Sequence, residues 1–222
     1  MLKISERLCT AASYVRDGAV VADIGTDHAY LPIYLALENK ITRAIASDVN
    51  EGPISKAREN ISKYNLDNTI DTCIANGLDG INKYSPTDIV ICGMGGELIV
   101  QILESSEYIK KQGIRLILQP MTMVKELREY LQNGYSAIAE NVVFEDNKLY
   151  QIICVEYDGI IKQYSDIQLE LGIKNIENGG DKLKMLLDAL IKKKEKKLNG
   201  FKLGGYDTTD IEKEIIELKK LY

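Results

Sequence analysis

Apolar runs alternate with amphipathic stretches over the first 160 residues of the chain. Each apolar run has the length of a buried strand, and the runs lie at about 19–24, 42–48, 70–75, 87–92 and 114–118. Helices are predicted between them; the first spans Ser5 to Val15, and later ones begin near Ala29, Pro53, Gly95 and Met123. Strands that alternate with helices in this way indicate a parallel sheet covered by helices.

The pattern changes from about Tyr135 onward. A long run ending at Glu145, the dipeptide Asp146-Asn147 and a second run from Leu149 to Tyr157 predict a β-hairpin. Five parallel strands followed by an antiparallel pair are typical of the seven-stranded, Rossmann-like sheet of class I methyltransferases, and they distinguish it from the simple dehydrogenase sheet. We therefore predict an α/β catalytic domain over residues 1–159.

Past Gly159 the apolar positions follow a helical period. They form two stripes, Leu183, Leu186, Leu187, Leu190, Ile191 and Leu198 in the first and Ile211, Ile215, Leu218 and Tyr222 in the second. The glycine-bearing segment from Asn199 to Asp207 connects them, and Thr209 with Glu212 predicts a capping box for the second helix. We expect residues 160–222 to form an antiparallel, coiled-coil-like helical appendage.

Composition excludes several classes of protein. No apolar run approaches the length that spans a bilayer, and the first residues lack a secretory pattern, so we expect a cytoplasmic protein without membrane contact. The four cysteines are far apart in apolar contexts and His28 is the only histidine, so we predict no metal site. No feature indicates an obligate protein partner.

The net charge of -5 is unevenly distributed along the chain. Between residues 182 and 202 eight lysines stand against two acids, and the densest cluster is Lys192, Lys193, Lys194, Lys196 and Lys197. Such a cluster binds a phosphate backbone well, because neutralised phosphates release counterions. A solvated helix face explains the same lysines, and both interpretations stay open here.

The first strand runs into a turn crowded with acids, hydroxyls and an imidazole, Asp23-Ile24-Gly25-Thr26-Asp27-His28. In an open parallel sheet, ligands bind beyond the carboxyl ends of the strands, near the point where strand order reverses. A dinucleotide fingerprint carries three glycines that let helix amides cradle a pyrophosphate, whereas this turn has one. The turn therefore favours a cofactor without phosphate, such as S-adenosylmethionine.

Three later strand ends supply further candidate residues. Asp48 follows the second strand, where a carboxylate accepts both ribose hydroxyls of an adenosyl group; capping of the next helix is the alternative. Asn76-Gly77 follows the third strand, where an amide oxygen suits the adenine amino group, and an ordinary turn explains the pair equally well. Gly93-Met94-Gly95-Gly96 follows the fourth strand and allows close backbone approach to a ligand.

Together these residues resemble the bacterial tRNA adenine-22 N1-methyltransferase family. The resemblance covers essentially the whole chain and rests on the run from Asp23 to Pro32, Asp48, Gly77-Leu78, Gly93-Met94-Gly95-Gly96, Leu118-Gln119-Pro120 and the helical tail. It implies a class I fold that uses S-adenosylmethionine, releases S-adenosylhomocysteine and methylates N1 of an adenine in the D-arm of tRNA. By this resemblance the cofactor contacts are Gly25, His28, Asp48, Asn76, Gly77 and Gly93, and the catalytic aspartate is Asp27.

Further roles follow from this interpretation. Met94 and Gly95 join the predicted cofactor contacts, and Arg7 on the opening helix is a candidate partner for the methionyl carboxylate. Asp27 either stabilises charge developing on the adenine ring or caps the helix that begins at Ala29. Two other functions stay open at this point: a methyltransferase for a small molecule, and a noncatalytic nucleotide-sensing scaffold whose coiled tail binds a partner.

Overall fold

The computed structural model of the protein describes residues 2–222, which form one seven-stranded sheet with nine α-helices. The strands are β1 (Ala19–Ile24), β2 (Ile41–Asp48), β3 (Ile70–Ile74), β4 (Asp88–Gly95), β5 (Arg115–Thr122), β6 (Asn133–Glu145) and β7 (Lys148–Ile161). The helices are α1 (Glu6–Tyr14), α2 (Tyr30–Leu37), α3 (Glu51–Lys63), α4 (Gly96–Glu104), α5 (Val124–Leu131), α6 (Asp166–Leu171), α7 (Ile173–Asn178), α8 (Gly180–Gly204) and α9 (Thr209–Lys219).

The strand order of the sheet is β3-β2-β1-β4-β5-β7-β6. Strands β1 to β5 run parallel, and β7 lies antiparallel between β5 and β6. This confirms the predicted class I methyltransferase sheet. The order reverses beside β1, because the chain fills one side of it with β2 and β3 before it crosses to β4. The connections that leave β1 and β4 therefore diverge and leave room for a ligand between them.

Alternate residues of each central strand point to opposite faces of the sheet. Val21 of β1 and Val90 of β4 join the core beneath α1, α2 and α3. Ala22 of β1 and Ile91 of β4 join the core beneath α4 and α5. Burial on both faces explains why the parallel strands read as continuous apolar runs in the sequence.

The predicted hairpin is present and longer than expected. Asp146 and Asn147 connect its strands with φ angles of 50° and 59°, the left-handed conformation that a two-residue turn with matching twist requires. Asp and Asn tolerate this conformation better than other residues with a side chain. β7 continues to Ile161, just past the boundary predicted after residue 159, and the division into two domains stays a prediction.

The tail contains four helices, where the sequence predicted two. The additional helices, α6 and α7, have six residues each, too few to show a helical period. The predicted pair α8 and α9 is antiparallel, because Lys202 lies 2.8 Å from Glu212 while Glu195 lies 3.0 Å from Lys219. Their apolar stripes form a third core together with Val142 of the hairpin. Supercoiling of this pair stays a prediction.

The connection between α8 and α9 is shorter than predicted. The sequence placed it at Asn199 to Asp207, but α8 continues through Gly200 to Gly204. Phe201 packs against the third core, and this contact favours continuation of the helix despite its glycines. Gly205, with a φ of 71°, ends α8 in the left-handed conformation common after a helix.

The start of α9 also differs from the prediction. The capping box at Thr209 is wrong, because Thr208 holds the cap position and makes no side-chain cap. The amide and hydroxyl of Thr209 both donate to the carboxylate of Asp207 instead. Tyr222 lies outside the buried stripe, with 58% of its surface exposed.

A buried ion pair joins the sheet to the tail. Arg128 of α5 lies 2.8 Å from Glu140 of β6, and both side chains are almost fully buried. Arg128 also donates to the carbonyls of Leu169 and Glu170, at the end of α6. The second oxygen of Glu140 accepts from the amide of Lys174 in α7. One pair of charges thus fixes α6 and α7 against the sheet.

Residues 2–222 include no helix that is both long and apolar enough to cross a membrane. The same residues bring together no group of three His, Cys, Asp or Glu side chains suited to a metal ion. All four cysteines are free thiols.

Candidate active site

A crevice opens at the carboxyl ends of β1 and β4, where the strand order reverses. Its cavity has a volume of about 270 Å³. Four of the predicted site residues line it together: Arg7, Gly25, Asp27 and Gly93. The remaining walls are Leu8, Asp23, Leu31, Cys92 and Met121.

The turn after β1 is held by a network around Thr26. The Thr26 amide donates to the carbonyl of Ser47 in β2 at 2.8 Å. Its hydroxyl donates to Asp23 at 2.5 Å and accepts from the amide of Ala29 at 3.2 Å. Gly25 has a φ of 71°, and a Cβ there would overlap the methyl group of Met94. The positive φ favours glycine at this position, whereas the methyl group of Met94 is the end of a flexible side chain and could move.

Asp23 ends β1 with a buried carboxylate that lines the crevice. Burial raises its pKa to about 6, and the negative charge of Asp27 acts in the same direction. The hydrogen bond from Thr26 opposes this shift because it stabilises the charged form. No role was predicted for Asp23 beyond its place in the turn. The sequence feature that could have identified it is an acid near the end of an otherwise apolar strand.

Asp27 lies at the rim of the crevice, and its side chain is 78% exposed. The first turn of α2 receives no side-chain cap from it, and the Thr26 hydroxyl meets the nearby amide of Ala29 instead. The alternative role of Asp27 as a helix cap is therefore wrong. Asp27 Oδ1 lies 3.5 Å from Nε2 of His28.

His28 does not line the crevice, although it was predicted as a cofactor contact. Its ring stacks on Tyr30, with 5.6 Å between the ring centroids. Its carbonyl accepts from the side-chain amide of Asn60 in α3 at 3.0 Å. The φ of 57° at His28 turns the chain toward α2. These contacts give His28 a role in shaping the turn.

Arg7 enters the crevice from α1 and is held on three sides. Its Nη1 donates to Gln119 Oε1 at 3.1 Å, its Nε lies 3.3 Å from Glu145 Oε1, and its guanidinium carbon lies 5.3 Å from the ring centroid of Tyr150. The Nε–H group is buried and makes no hydrogen bond. The contacts with Gln119, Glu145 and Tyr150 therefore hold the guanidinium of Arg7 in a preset orientation.

Gln119 is a positioning residue that sequence reasoning missed. It lies in the buried part of β5, is fully buried, and accepts through Oε1 from both Arg7 and the Gly93 amide, the latter at 3.2 Å. Its Nε2 donates to the carbonyl of Pro120 at 2.9 Å. The sequence offered one signal, a lone amide after the apolar run of β5, and its partners are visible only in three dimensions.

Asp48, Asn76 and Gly77 lie farther along the same edge of the sheet. Asp48 and Ile74 are paired in the register of β2 and β3, which places Asn76 just beyond the end of β3. Asp48 Oδ1 accepts from the amide of Asn50 at 2.8 Å, which leaves its other oxygen for a ligand. None of the three predicted residues lines the 270 Å³ cavity. They lie at the ends of the two neighbouring strands, each about 5 Å from the next, and their contact with the cofactor stays a prediction.

The glycine cluster at the end of β4 serves two different purposes. Gly93 has a φ of 81° and open space where a Cβ would stand, so a ligand is able to approach its backbone. Gly95 precedes α4 as its cap residue. A Cβ at Gly96 would overlap the carbonyl of Met123. Gly96 is thus explained by close packing against Met123, which precedes α5. The prediction that the whole cluster allows ligand approach does not hold for this glycine.

The crevice fits the amino-acid end of S-adenosylmethionine. The guanidinium of Arg7, which lines the crevice, suits a carboxylate, because a charged donor makes a strong hydrogen bond to an anion. Asp23 and Asp27 supply carboxylate oxygens, whose negative charge suits an ammonium group. Gly93 has open space where a Cβ would stand, which leaves its backbone accessible to a ligand.

The chain matches known proteins over most of its length. Residues 4–153 match the methyltransferase domain family. Over 173 residues the chain is 40% identical to the tRNA (adenine(22)-N(1))-methyltransferase of Bacillus subtilis, an alignment that covers 78% of this chain and 73% of that one. This chain belongs to the tRNA (adenine(22)-N(1))-methyltransferase family.

Two solved structures extend the similarity to the tail. Streptococcus pneumoniae Sp1610, in complex with S-adenosyl-L-methionine, is 32% identical with a TM-score of 0.86 and 99% of each chain covered. M. capricolum TrmK, in complex with S-adenosyl-homocysteine, is 27% identical with a TM-score of 0.76, and the match covers 98% of this chain and 96% of that one. Since nearly the whole chain is matched, the helical tail is shared with both of these structures.

In this member of the adenine-22 N1-methyltransferase family, four of the five lysines in the predicted cluster are exposed and have no ion-pair partner among residues 2–222: Lys192, Lys193, Lys196 and Lys197. Lys194 differs from them. Its ammonium lies 2.7 Å from Glu214 of α9 and 3.7 Å from Glu170 of α6, and only 18% of its side chain is exposed. We therefore assign Lys194 to the packing of the tail and keep the other four as candidates for RNA contact.

Proposed function

We propose that this protein transfers the methyl group of S-adenosylmethionine to N1 of adenine 22 in tRNA and releases S-adenosylhomocysteine. The observation that carries the proposal is the crevice, in which one cation, two carboxylates and two glycines meet where the strand order of the sheet reverses. When bound, S-adenosylmethionine supplies an electrophilic methyl group on its sulfonium. Since the proposed substrate is tRNA, we propose that the protein acts in the cytoplasm.

The residues of this chain act mainly by positioning. Adenine N1 carries an in-plane lone pair, so no group has to remove a proton before it attacks. Alignment and exclusion of water then account for most of the acceleration. Arg7 is fixed by Gln119 and Glu145 before any ligand arrives, so little ordering is required on binding. Asp48 and Asn76 are assigned to the ribose and adenine of the donor.

Asp27 is assigned to the reacting adenine. Methylation at N1 leaves the ring cationic, so a carboxylate beside it stabilises the charge that develops in the transition state. Asp27 is suited to this role because it lies at the rim of the crevice and is not occupied in capping α2. Its oxygen also suits the exocyclic amine of adenine as a hydrogen-bond acceptor.

The RNA has to be held while the base is extruded. N1 is stacked and paired in a helical arm, and turning the base out costs a few kcal/mol. The acidic half of the chain is unsuited to hold a polyanion, so we assign this task to Lys192, Lys193, Lys196 and Lys197. Their ammonium groups are free to contact phosphates, because none of them has an ion-pair partner in the described part of the chain.

Nucleoside analysis of tRNA incubated with the protein and S-adenosylmethionine tests the proposal. We expect a new N1-methyladenosine peak, absent when position 22 of the transcript is guanine. Asp27→Ala should lower kcat about 100-fold, because it removes an interaction made in the transition state. Its affinity for S-adenosylmethionine, measured by calorimetry, should stay unchanged. Asp17→Ala, an exposed acid at the opposite end of β1, is the matched control and should keep the wild-type rate.

Three results would contradict parts of the proposal. Transfer to a small molecule, with none to tRNA, would replace the acceptor. No binding of S-adenosylmethionine would favour a noncatalytic scaffold. An unchanged kcat for Asp27→Ala would remove the catalytic role of Asp27 and leave the acceptor as proposed.

A further inference from the structure

A groove larger than the crevice lies beside it. It has a volume of about 800 Å³ and separates the hairpin tip and the start of α5 from α8. Met121, near the end of β5, lines both cavities, so the groove adjoins the crevice. We call it the docking groove and define it by six lining residues: Met121, Met123, Phe144, Lys148, Ala189 and Lys193.

The floor of the docking groove is unusually apolar for an exposed surface. Phe144 has 52% of its surface exposed, Met121 has 39% and Met123 has 38%. Phe144 is one of only two phenylalanines in the chain and lies on the hairpin beside the turn. Large apolar side chains that share one concave surface mark a binding site more often than scattered ones do.

The rim of the docking groove carries positive charge. Lys148 and Lys193 have no ion-pair partner within residues 2–222, whereas Lys125, also in the groove, lies 3.0 Å from Asp166. Glu126 is the exposed acid of the rim, and Glu170 is already engaged by Lys194. Beyond Lys193 the charge continues along α8 through Lys192 and Lys196, which line the adjoining shallow surface.

We propose that the docking groove binds the unstacked nucleotides that flank the acceptor adenine, with Phe144 stacked on a base and Lys148 and Lys193 at phosphates. The inference rests on the proposed function and extends it to the path of the RNA strand. Every nucleotide combines a flat apolar face with one anionic phosphate, and the docking groove offers a partner for each. Because Met121 lines both the docking groove and the crevice, nucleotides in the groove would lie beside the base that enters the crevice.

Equilibrium binding of a fluorescein-labelled tRNA transcript, measured by anisotropy without methyl donor, tests this inference. Phe144→Ala should raise Kd about 10-fold, the effect of losing one base–aromatic stack. Phe144→Tyr should bind like the wild type, because the stacking face is kept. Ile161→Ala is the matched control, since Ile161 is 74% exposed at the far end of β7, and it should leave Kd unchanged.

A second variant fills the docking groove instead of emptying it. Ala189 is exposed on α8 within the groove, so Ala189→Trp should raise Kd for the transcript by at least 10-fold while α8 keeps its buried stripe. Affinity for S-adenosylmethionine should stay at the wild-type value in every variant, which shows that the crevice is intact.

The inference is overturned if Phe144→Ala and Ala189→Trp both bind the transcript within twofold of the wild type. It is also overturned if the wild type is a dimer that either variant dissociates without loss of RNA binding, because the groove is then an interface between copies. Phe144-dependent binding of tRNA without formation of N1-methyladenosine would contradict the proposed reaction and leave the docking groove in place.

Discussion

The crevice and the tail place their functional groups by different physical means. In the crevice, Arg7, Asp23 and Gln119 are wholly or partly buried, and each is held by hydrogen bonds from other elements. On α8, Lys193 and Lys196 extend into solvent without a fixed partner among the described residues. A group that meets a reacting molecule is fixed in advance, whereas a group that attracts a polyanion is left mobile.

This difference predicts different responses to substitution. A preset contact is worth most when its geometry is kept, so one change in such a network should have a large effect. Attraction of phosphates depends on the number of cations more than on the place of each, so several lysines have to change before binding weakens strongly. The buried pair of Arg128 and Glu140, which joins the sheet to the tail, is also a preset contact, although it lies outside the crevice.

The largest effect is expected at the buried pair that joins the sheet to the tail. Arg128→Met leaves the carboxylate of Glu140 buried without its cation and should lower the free energy of unfolding by about 3–5 kcal/mol. Urea denaturation measures this loss. Arg43→Met is the control, because the pair that Arg43 makes with Asp71 is largely exposed and should contribute less than about 1 kcal/mol. Equal losses in the two variants would show that the junction does not hold the tail.

Most of the fold was predictable because its signals are local. Apolar runs and turn residues identified every strand of the parallel sheet, and the dipeptide Asp146-Asn147 identified the hairpin. The tail was predicted less well. The helices α6 and α7 are too short to show a period, and they are fixed by Arg128, which is distant in sequence. No local pattern reports a contact of this kind.

The site was predictable where the backbone itself dictates the residue. Gly25 and Gly93 are required by their φ angles, and both lie in the crevice. Gln119 was noticed as part of a family pattern without a role, because its role comes from Arg7 and Gly93 meeting it across the sheet. The lysines of α8 were found by composition alone, and composition does not show that Lys194 is engaged by acids of two other helices.

An intermediate effect is expected for the exposed lysines of α8. Replacement of Lys193, Lys196 and Lys197 by glutamate should raise KM for tRNA about 30-fold. It should also make the slope of log KM against log salt concentration shallower, by the equivalent of about two phosphate contacts. Steady-state kinetics at several salt concentrations measures both quantities. The value of kcat should change little, since none of the three lines the crevice.

A charge-matched variant separates local contact from overall charge. Lys63, Lys83 and Lys111 are exposed and precede β3, β4 and β5, at the end of the sheet away from the crevice. Their reversal to glutamate gives the same net charge and should leave KM within about threefold of the wild type, because only long-range repulsion remains. Equal increases in KM for the two triple variants would mean that no specific surface of α8 meets the RNA.

The smallest effect concerns the buried acid of the crevice and its response to pH. The pKa of Asp23 is raised from 3.8 to about 6 in the folded protein, first by burial, so the folded state binds the proton more tightly than the unfolded state. Ionised Asp23 therefore destabilises the fold above pH 6, and the penalty is relieved as pH falls toward 3.8. Asp23→Asn removes this dependence.

The stability of Asp23→Asn relative to the wild type should thus decrease by about 1 kcal/mol between pH 7.5 and pH 5, as measured by urea denaturation at the two values. Asp17→Asn, at an exposed position, should show no such change. A pH-independent difference for Asp23→Asn would mean that the carboxylate ionises as an exposed one does. Burial of Asp23 would then carry no energetic cost, and the carboxylate would resemble the solvated lysines of α8 in this respect.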